Sequence, residues 1–188
     1  MIKKFINKLL GKSTPGTSGG KPHFGKREEV PASVHGINPE LVDRRAADVV
    51  ATLKQAGFEA YIVGGAVRDL LLGLRPKDFD VATNATPEQV KGLFRRAFII
   101  GKRFRIVHVV HGRGREHEVI EVSTFRAYLD NAAAGQVAGN EKTSKAQLSG
   151  MQHAVDASGR VLRDNVWGPQ DEDATRRDFT VNAMYYDP

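Results

Sequence analysis

An α+β fold with α/β-like order, helices flanking a mixed β-sheet, is the architecture this sequence predicts. Three observations carry it. Helical and strand periodicities alternate in the order α-β-α-β-α-β-β between residues 38 and 125. The turns between them are marked by glycine or by a capping box. And 188 residues, 40% of them apolar, suit one domain with a sizeable core.

The elements follow in order. Asn38 is an N-cap candidate with Pro39 at the first helical position, and Val42, Ala46, Val49, Val50 and Leu53 recur on one helical face up to Gly57. A strand is expected over 58–63. Gly64-Gly65 then turns the chain into a short helix ending near Gly73, and a second strand runs over 77–82. Thr86-Pro87-Glu88-Gln89 has the capping-box pattern and starts a helix to about Arg96. Two β-rich runs, 103–111 and 116–125, flank Gly112-Arg113-Gly114-Arg115 and predict a hairpin. Residues 127–160 are Ala-, Gly- and polar-rich without sustained period, which predicts a mobile loop.

Ahead of this domain, assigned to 37–188, residues 1–36 read as a basic, largely disordered tail and linker. Within it Ile2, Phe5, Ile6, Leu9 and Leu10 form one helical stripe opposite Lys3, Lys4 and Lys8. That pattern predicts a short amphipathic helix suited to a membrane surface or a protein partner; it lacks the apolar core and cleavage site of a signal peptide. Gly11-Lys12-Ser13 fails as a phosphate loop, because Ile6 stands where the first glycine belongs and no strand precedes it.

Composition excludes several chemistries. With no Cys, a disulfide framework, a Cys-based zinc site and a thiol nucleophile are impossible, and a reducing, cytoplasmic compartment is the expectation. No run approaches the roughly 18 apolar residues of a membrane span. The net charge is +6. Residues 1–30 hold seven Lys/Arg against two Glu, leaving 21 bases against 20 acids elsewhere. In that near-neutral remainder, residues 91–115 carry Lys91, Arg95, Arg96, Lys102, Arg103, Arg105, Arg113 and Arg115 and no acid. Such a run is what faces a polyanion such as a nucleic-acid backbone, with Arg95, Arg96, Lys102, Arg103 and Arg105 the expected contacts; a solvated basic face is the competing reading.

The chemistry begins at Asp78-Phe79-Asp80. On a strand, side chains alternate, so the two carboxylates point one way, about 6–7 Å apart, while Phe79 and Val81 enter the core. Paired like charges suit bound cations, and a pair of Mg²⁺ ions fits that spacing; two solvent-facing aspartates are the plain alternative. Fourteen residues upstream, Gly64-Gly65 ends a buried strand at a helix N-terminus. There free N–H groups favour a polyphosphate and only glycine allows close backbone approach, with Arg68 one turn on. Glu121, sharing a strand face with Ser123, is placed to be a third carboxylate. Asp69 better suits an ion pair with a nearby Arg. His108, His111 and His117 suggest zinc, but His108 and His111 have opposite strand parity, which disfavours it.

With those residues in place, the sequence resembles the nucleotidyltransferase head of the bacterial poly(A) polymerase and class II CCA-adding enzyme family, a polymerase-β-type fold. The matching stretches are G-G-A-V-R-D-L-L-L-G (64–73), P-K-D-F-D-V-A-T-N-A-T-P-E (76–88), E-V-S-T-F-R (121–126) and R-R-D-F-T-V-N-A-M (176–184). G-K-R-F-R-I-V-H-V (101–109) and D-N-V-W-G-P-Q-D-E-D-A (164–174) are similar to the poly(A) polymerase branch.

The resemblance implies Asp78 and Asp80 as the metal-binding catalytic pair, Gly64, Gly65 and Arg68 as triphosphate ligands, Arg177 at the nucleotide side, and Asp178 as a third catalytic acid. Asp178 as N-cap of a helix over 179–184 is the alternative. It further implies template-independent addition of AMP from ATP to RNA 3′ ends with two Mg²⁺ ions, Mn²⁺ able to substitute. Neck and body domains, which follow the head in the family, are not part of the expected 37–188 domain. A CCA-adding tRNA nucleotidyltransferase shares the head motifs. A non-catalytic RNA-binding module would explain the basic run but not the paired carboxylates.

Overall fold

The computed structural model describes residues 27–112, 117–128, 135–136, 153–155 and 161–188. The amphipathic stripe over 2–10 and the basic Arg113 and Arg115 lie outside the described residues.

A helical turn, α1 (Ala32–His35), closes on Gly36 in the left-handed region, and Ile37 is the first of the described residues to be buried in the core. The helix expected from Asn38 is two elements. Asn38 accepts a hydrogen bond from the Glu40 amide and caps only a 3-10 turn, Pro39–Leu41; Asp43 then caps α2 (Arg44–Gln55) by accepting from Arg45 N. Two polar caps five residues apart each satisfy a set of free amides, so the chain stops and restarts. Ala46, Val49, Val50 and Leu53, at i, i+3, i+4 and i+7, are the buried face of α2.

Strand β1 (Ala60–Val63) leads through Gly64 into α3 (Gly65–Leu71). The next strand, β2 (Asp80–Thr83), is shorter than expected: Asp78 and Phe79 precede it. Thr86 and Gln89 form a complete capping box at the start of α4 (Pro87–Leu93). A strand the sequence pattern did not reveal, β3 (Ala97–Ile100), follows. β4 (Ile106–His111) and β5 (Glu118–Thr124) then pair antiparallel, as the hairpin pattern predicts. Within 127–160 the structure has two strands, β6 (Gly135–Gln136) and β7 (His153–Val155); β8 (Val161–Asp164) completes a small sheet with them. The chain closes with α5 (Gln170–Thr175), a 3-10 turn Thr180–Asn182 in place of the helix expected over 179–184, and β9 (Tyr185–Tyr186).

The main sheet has six strands in the order β3-β4-β5-β2-β1-β9. Only β2 and β5 run parallel; the remaining neighbours are antiparallel. One face, carrying Ile62, Val81, Val107, Ile120 and Val122, packs with Val67 and Leu70 of α3, Val90 of α4 and the buried face of α2. That burial is the main cohesive term. Strand alternation sends Tyr61, Val63, Ala82 and Ser123 to the opposite face. There Val63, Ala82 and Phe125 make a second cluster with Tyr61 and Tyr185. The Tyr61, Phe125 and Tyr185 rings stand 6.1–6.4 Å apart, one pair stacked and two edge-on.

Candidate active site

The site lies on the sheet face opposite α2, α3 and α4. Asp80 opens β2, and the parallel register places it directly opposite Glu121 of β5. Phe79 and Val81 are buried on the helix side, which turns Asp78 and Asp80 outward; both residues are exposed. The Asp80 carboxyl is held above the ordinary carboxylate range, first by loss of surrounding water, then by the negative charge of Glu121, with Asp78 adding to the effect and Arg177 opposing it. Three carboxylates and one guanidinium therefore share one electrostatic neighbourhood.

On its other side Glu121 faces β4. Its register partner there is His108, and Glu121 Oε1 lies 3.2 Å from His108 Nε2. His108 thus reaches the cluster beside Glu121. His111 pairs with Glu118 at the far end of the hairpin.

The Gly64-Gly65 turn borders the cluster from β1. Gly64 has φ +75°, open to glycine without strain, and a Cβ there would sit 3.8 Å from Arg177 Nη1; a Cβ on Gly65 would sit 3.4 Å from Arg68 Nη2. Two guanidinium groups thus flank the diglycine. Arg68 is held by Asp69, at 2.8 and 2.9 Å, and donates to Asn182 Oδ1 at 3.3 Å, so the ion pair expected of Asp69 forms with Arg68 itself. Arg177 donates to Asn182 O, to the Tyr185 hydroxyl and to Asp173 Oδ2, and its guanidinium lies 5.3 Å from the Tyr185 ring centroid. Burial lowers its pKa, and Tyr185 and Asp173 more than offset that.

Asp173 organises this wall. Buried, it accepts from Arg126 N at 2.9 Å, from Arg177 Nη2 at 3.2 Å and from the Tyr185 hydroxyl at 2.6 Å. The Tyr185 hydroxyl is pushed far above its ordinary range, mainly by burial and then by Asp173. Close approach of two backbones positions α5: Gly168 N donates to Phe125 O and Ala127 N to Val166 O. A Cβ on Gly168 would meet Ala127 Cα at 2.6 Å, so only glycine fits. Nothing local marks Asp173 among Asp171, Glu172 and Asp173, all in the first turn of α5; its place in the 164–174 stretch was the available signal.

Asp178 stands apart. It is exposed, accepts from Phe179 N at 2.8 Å, and is not among the charges that shift Asp80. Nor does it cap the following turn, whose N-cap is Phe179.

In the basic run, Arg96 donates to Gly112 O and Arg105 pairs with Glu88, while Arg103 lies 4.8 Å over the Phe104 ring. Lys102 and Arg103 lend backbone instead: Asn165 Nδ2 donates to Lys102 O, Asp164 N donates to Arg103 O, and Arg105 N donates to Asn165 Oδ1. The 101–109 and 164–174 stretches are thereby joined.

Among the described residues, no group of three or more His, Asp or Glu side chains is gathered closely enough to cage a metal. The donor set nevertheless fits Mg²⁺, which is characteristically held by one or two carboxylates plus water and substrate phosphates rather than by an all-protein cage. The crowding of Asp80 by Glu121 and Asp78, which Arg177 offsets only in part, is what a divalent cation would relieve.

Residues 60–188 match the Poly A polymerase head domain family. Over 160 residues the chain is 48% identical to poly(A) polymerase I of Haemophilus influenzae, covering 85% of this chain and 31% of that protein. It is 42% identical over 187 residues to poly(A) polymerase I of Salmonella typhi, covering 98% and 36%. The CCA-adding enzyme of Lactobacillus helveticus is 36% identical over 143 residues, covering 76% and 29%. Among solved structures, the Bacillus stearothermophilus CCA-adding enzyme in complex with CTP aligns with a TM-score of 0.50 at 32% identity, over 79% of this chain and 28% of that one. The chain spans about a third of the length of the curated relatives it matches. With its diglycine turn, paired aspartates and mixed sheet in that register, it belongs to the poly(A) polymerase head domain family.

Proposed function

We propose that the chain is the nucleotidyltransferase head of a longer cytoplasmic protein that adds AMP from ATP to RNA 3′ ends without a template. The observation that carries this is Asp80 set opposite Glu121, with Asp78 two residues before it, on the same sheet face as a diglycine turn flanked by Arg68 and Arg177. One side of the site is acidic, for cations and a hydroxyl nucleophile; the other is cationic with a diglycine turn that has no side chain of its own, for a triphosphate.

Asp78 and Asp80 would hold two Mg²⁺ ions, with Glu121 as a candidate further carboxylate and Asp178 the alternative. When bound, such ions lower the pKa of an attacking hydroxyl and neutralise charge on the phosphates and leaving pyrophosphate. Gly64 and Gly65 let the triphosphate approach the backbone. Arg68 and Arg177 orient it, Arg177 from a fixed position because Asp173, Tyr185 and Asn182 hold its guanidinium. No side chain need form a covalent intermediate; positioning and charge neutralisation suffice.

Addition of A alone, rather than CCA, is supported by the joined 101–109 and 164–174 stretches, which carry the likeness to the poly(A) branch, and by the higher identity to poly(A) polymerases than to the CCA-adding enzyme. The experiment supplies the full-length protein with ATP and an unstructured RNA primer. Extension by many adenylates with little use of CTP is expected. Addition of only two cytidylates and one adenylate to tRNA lacking its end, with the primer ignored, would assign the CCA reaction.

A further inference from the structure

A cleft beside the carboxylate cluster is lined by Ser123, Arg126, Asp173, Arg176 and Arg177. Its charges do not balance. Arg176 pairs with Asp164, which is 1% exposed, and also donates to Ala127 O at 3.0 Å. Arg177 pairs with Asp173. Asp164 and Asp173, the two carboxylates that act on Arg126, are thus engaged by other arginines. Arg126 gives its backbone N–H to Asp173, but among the described residues its guanidinium has no hydrogen bond and no ion pair. What lies against it is the Phe104 ring, 4.8 Å from Cζ.

Arg126 is half-buried, and burial lowers its pKa, with Arg176 and Arg177 repelling its charge and Asp164 and Asp173 partly compensating. A partly desolvated guanidinium with five unused donors is costly unless something anionic completes it. The fold maintains that cost: the Arg126–Trp167 bridge fixes the backbone and Phe104 lies against the guanidinium. Position gives the ligand's class. Arg126 follows Thr124 at the end of β5, the strand that places Glu121 opposite Asp80, and Arg177 of the same cleft acts on Asp80.

We propose that the Arg126 guanidinium binds a phosphate group in this cleft, as a fork that Phe104 orients. The phosphate belongs to the incoming nucleotide or to the RNA backbone. That choice of ligands rests on the nucleotidyl-transfer reading; the existence of an anion site does not.

Equilibrium binding tests it without requiring catalysis. Three probes are titrated into the 188-residue chain and into Arg126→Met and Arg126→Lys: inorganic triphosphate, ATP, and an oligoadenylate without terminal phosphate. Thermal unfolding is followed in parallel. For a nucleotide phosphate, Arg126→Met should weaken triphosphate and ATP roughly ten- to a hundred-fold and leave the oligoadenylate unchanged. For a backbone phosphate the oligoadenylate should weaken, and the slope of log affinity against log salt should flatten by about 0.7. Arg126→Lys should recover part of either loss. Without any anion, Arg126→Met should unfold at the same temperature or higher, because the unpaired charge is gone. Unchanged affinity for all three probes overturns the proposal. So does unfolding of both variants in the absence of anions, which would assign Arg126 to the fold. Failure of the full-length protein to adenylate RNA would leave the anion site standing and remove only the nucleotidyl-transfer reading.

Discussion

Asp80 and Glu121 face each other across the only parallel strand pair in the six-stranded sheet. Two acids at adjacent positions of neighbouring strands repel, and the pKa of Asp80 is raised first by loss of surrounding water and then by that repulsion. The sheet therefore carries a destabilising pair where an ordinary solvent face would place polar or oppositely charged residues. Strain of this kind, kept at a cleft with arginines on its far wall, is the physical basis of the functional assignment.

The first prediction concerns pH. Folding raises the pKa of Asp80 above its ordinary value, so the folded state favours the proton. The contribution of Asp80 to stability is greatest below the ordinary carboxylate range and falls as pH rises through the raised folded value. Compared with Asp80→Asn by chemical denaturation, the wild type should lose stability over that rise, and added Mg²⁺ should narrow the gap. A pH-independent difference would show that Asp80 is not under this load.

Arg68 and Asp69 form a half-exposed pair, with side chains 43% and 29% accessible, and an ion pair that water still reaches stabilises little. Arg68→Ala should therefore leave unfolding within about 0.5 kcal/mol of wild type while raising the apparent KM of the full-length protein for ATP more than its RNA affinity changes. Unchanged ATP kinetics with a clear loss of stability would make the pair structural.

Asp173→Ala should destabilise the chain by about 3 kcal/mol, because it strips partners from Arg126 N, Arg177 and the Tyr185 hydroxyl at a buried position. Urea unfolding with an unchanged m-value checks it. A loss below about 1 kcal/mol would mean these groups find other partners.

Much of this was legible in the sequence, for identifiable reasons. The alternation at Phe79, Asp80 and Val81 and the capping box at Thr86 and Gln89 are local rules that the tertiary structure had no cause to override. Strands β3 and β9 were not legible. Ala97–Ile100 is a short apolar run with no turn residues of its own, and Tyr185–Tyr186 is a strand only because β1 offers an edge. Asp78 reads as part of a strand although β2 begins at Asp80, since its antiparallel partner β1 ends at Val63, opposite Asp80, where Gly64 turns the chain into α3. Asp173, His108 and Arg126 depend on contacts between segments distant in sequence, which no local pattern reveals.

The basic run predicts a salt effect. Arg95, Arg96 and Arg103 replaced together by Gln in the full-length protein should flatten the dependence of RNA affinity on salt, by a slope of roughly 0.7 for each phosphate no longer neutralised. A preserved slope would reduce the run to a solvated face, with Arg96 serving only the Gly112 carbonyl.

The most direct measurement compares full-length wild type with Asp80→Asn on an unstructured RNA primer, with ATP and Mg²⁺, both proteins first shown to be folded. Wild type should extend the primer and the variant should fall by at least about a thousand-fold, since loss of a carboxylate that holds the charge-neutralising ion removes several kcal/mol of transition-state stabilisation. Primer extension by folded Asp80→Asn at a rate near wild type would contradict the assignment of the reaction to this carboxylate cluster.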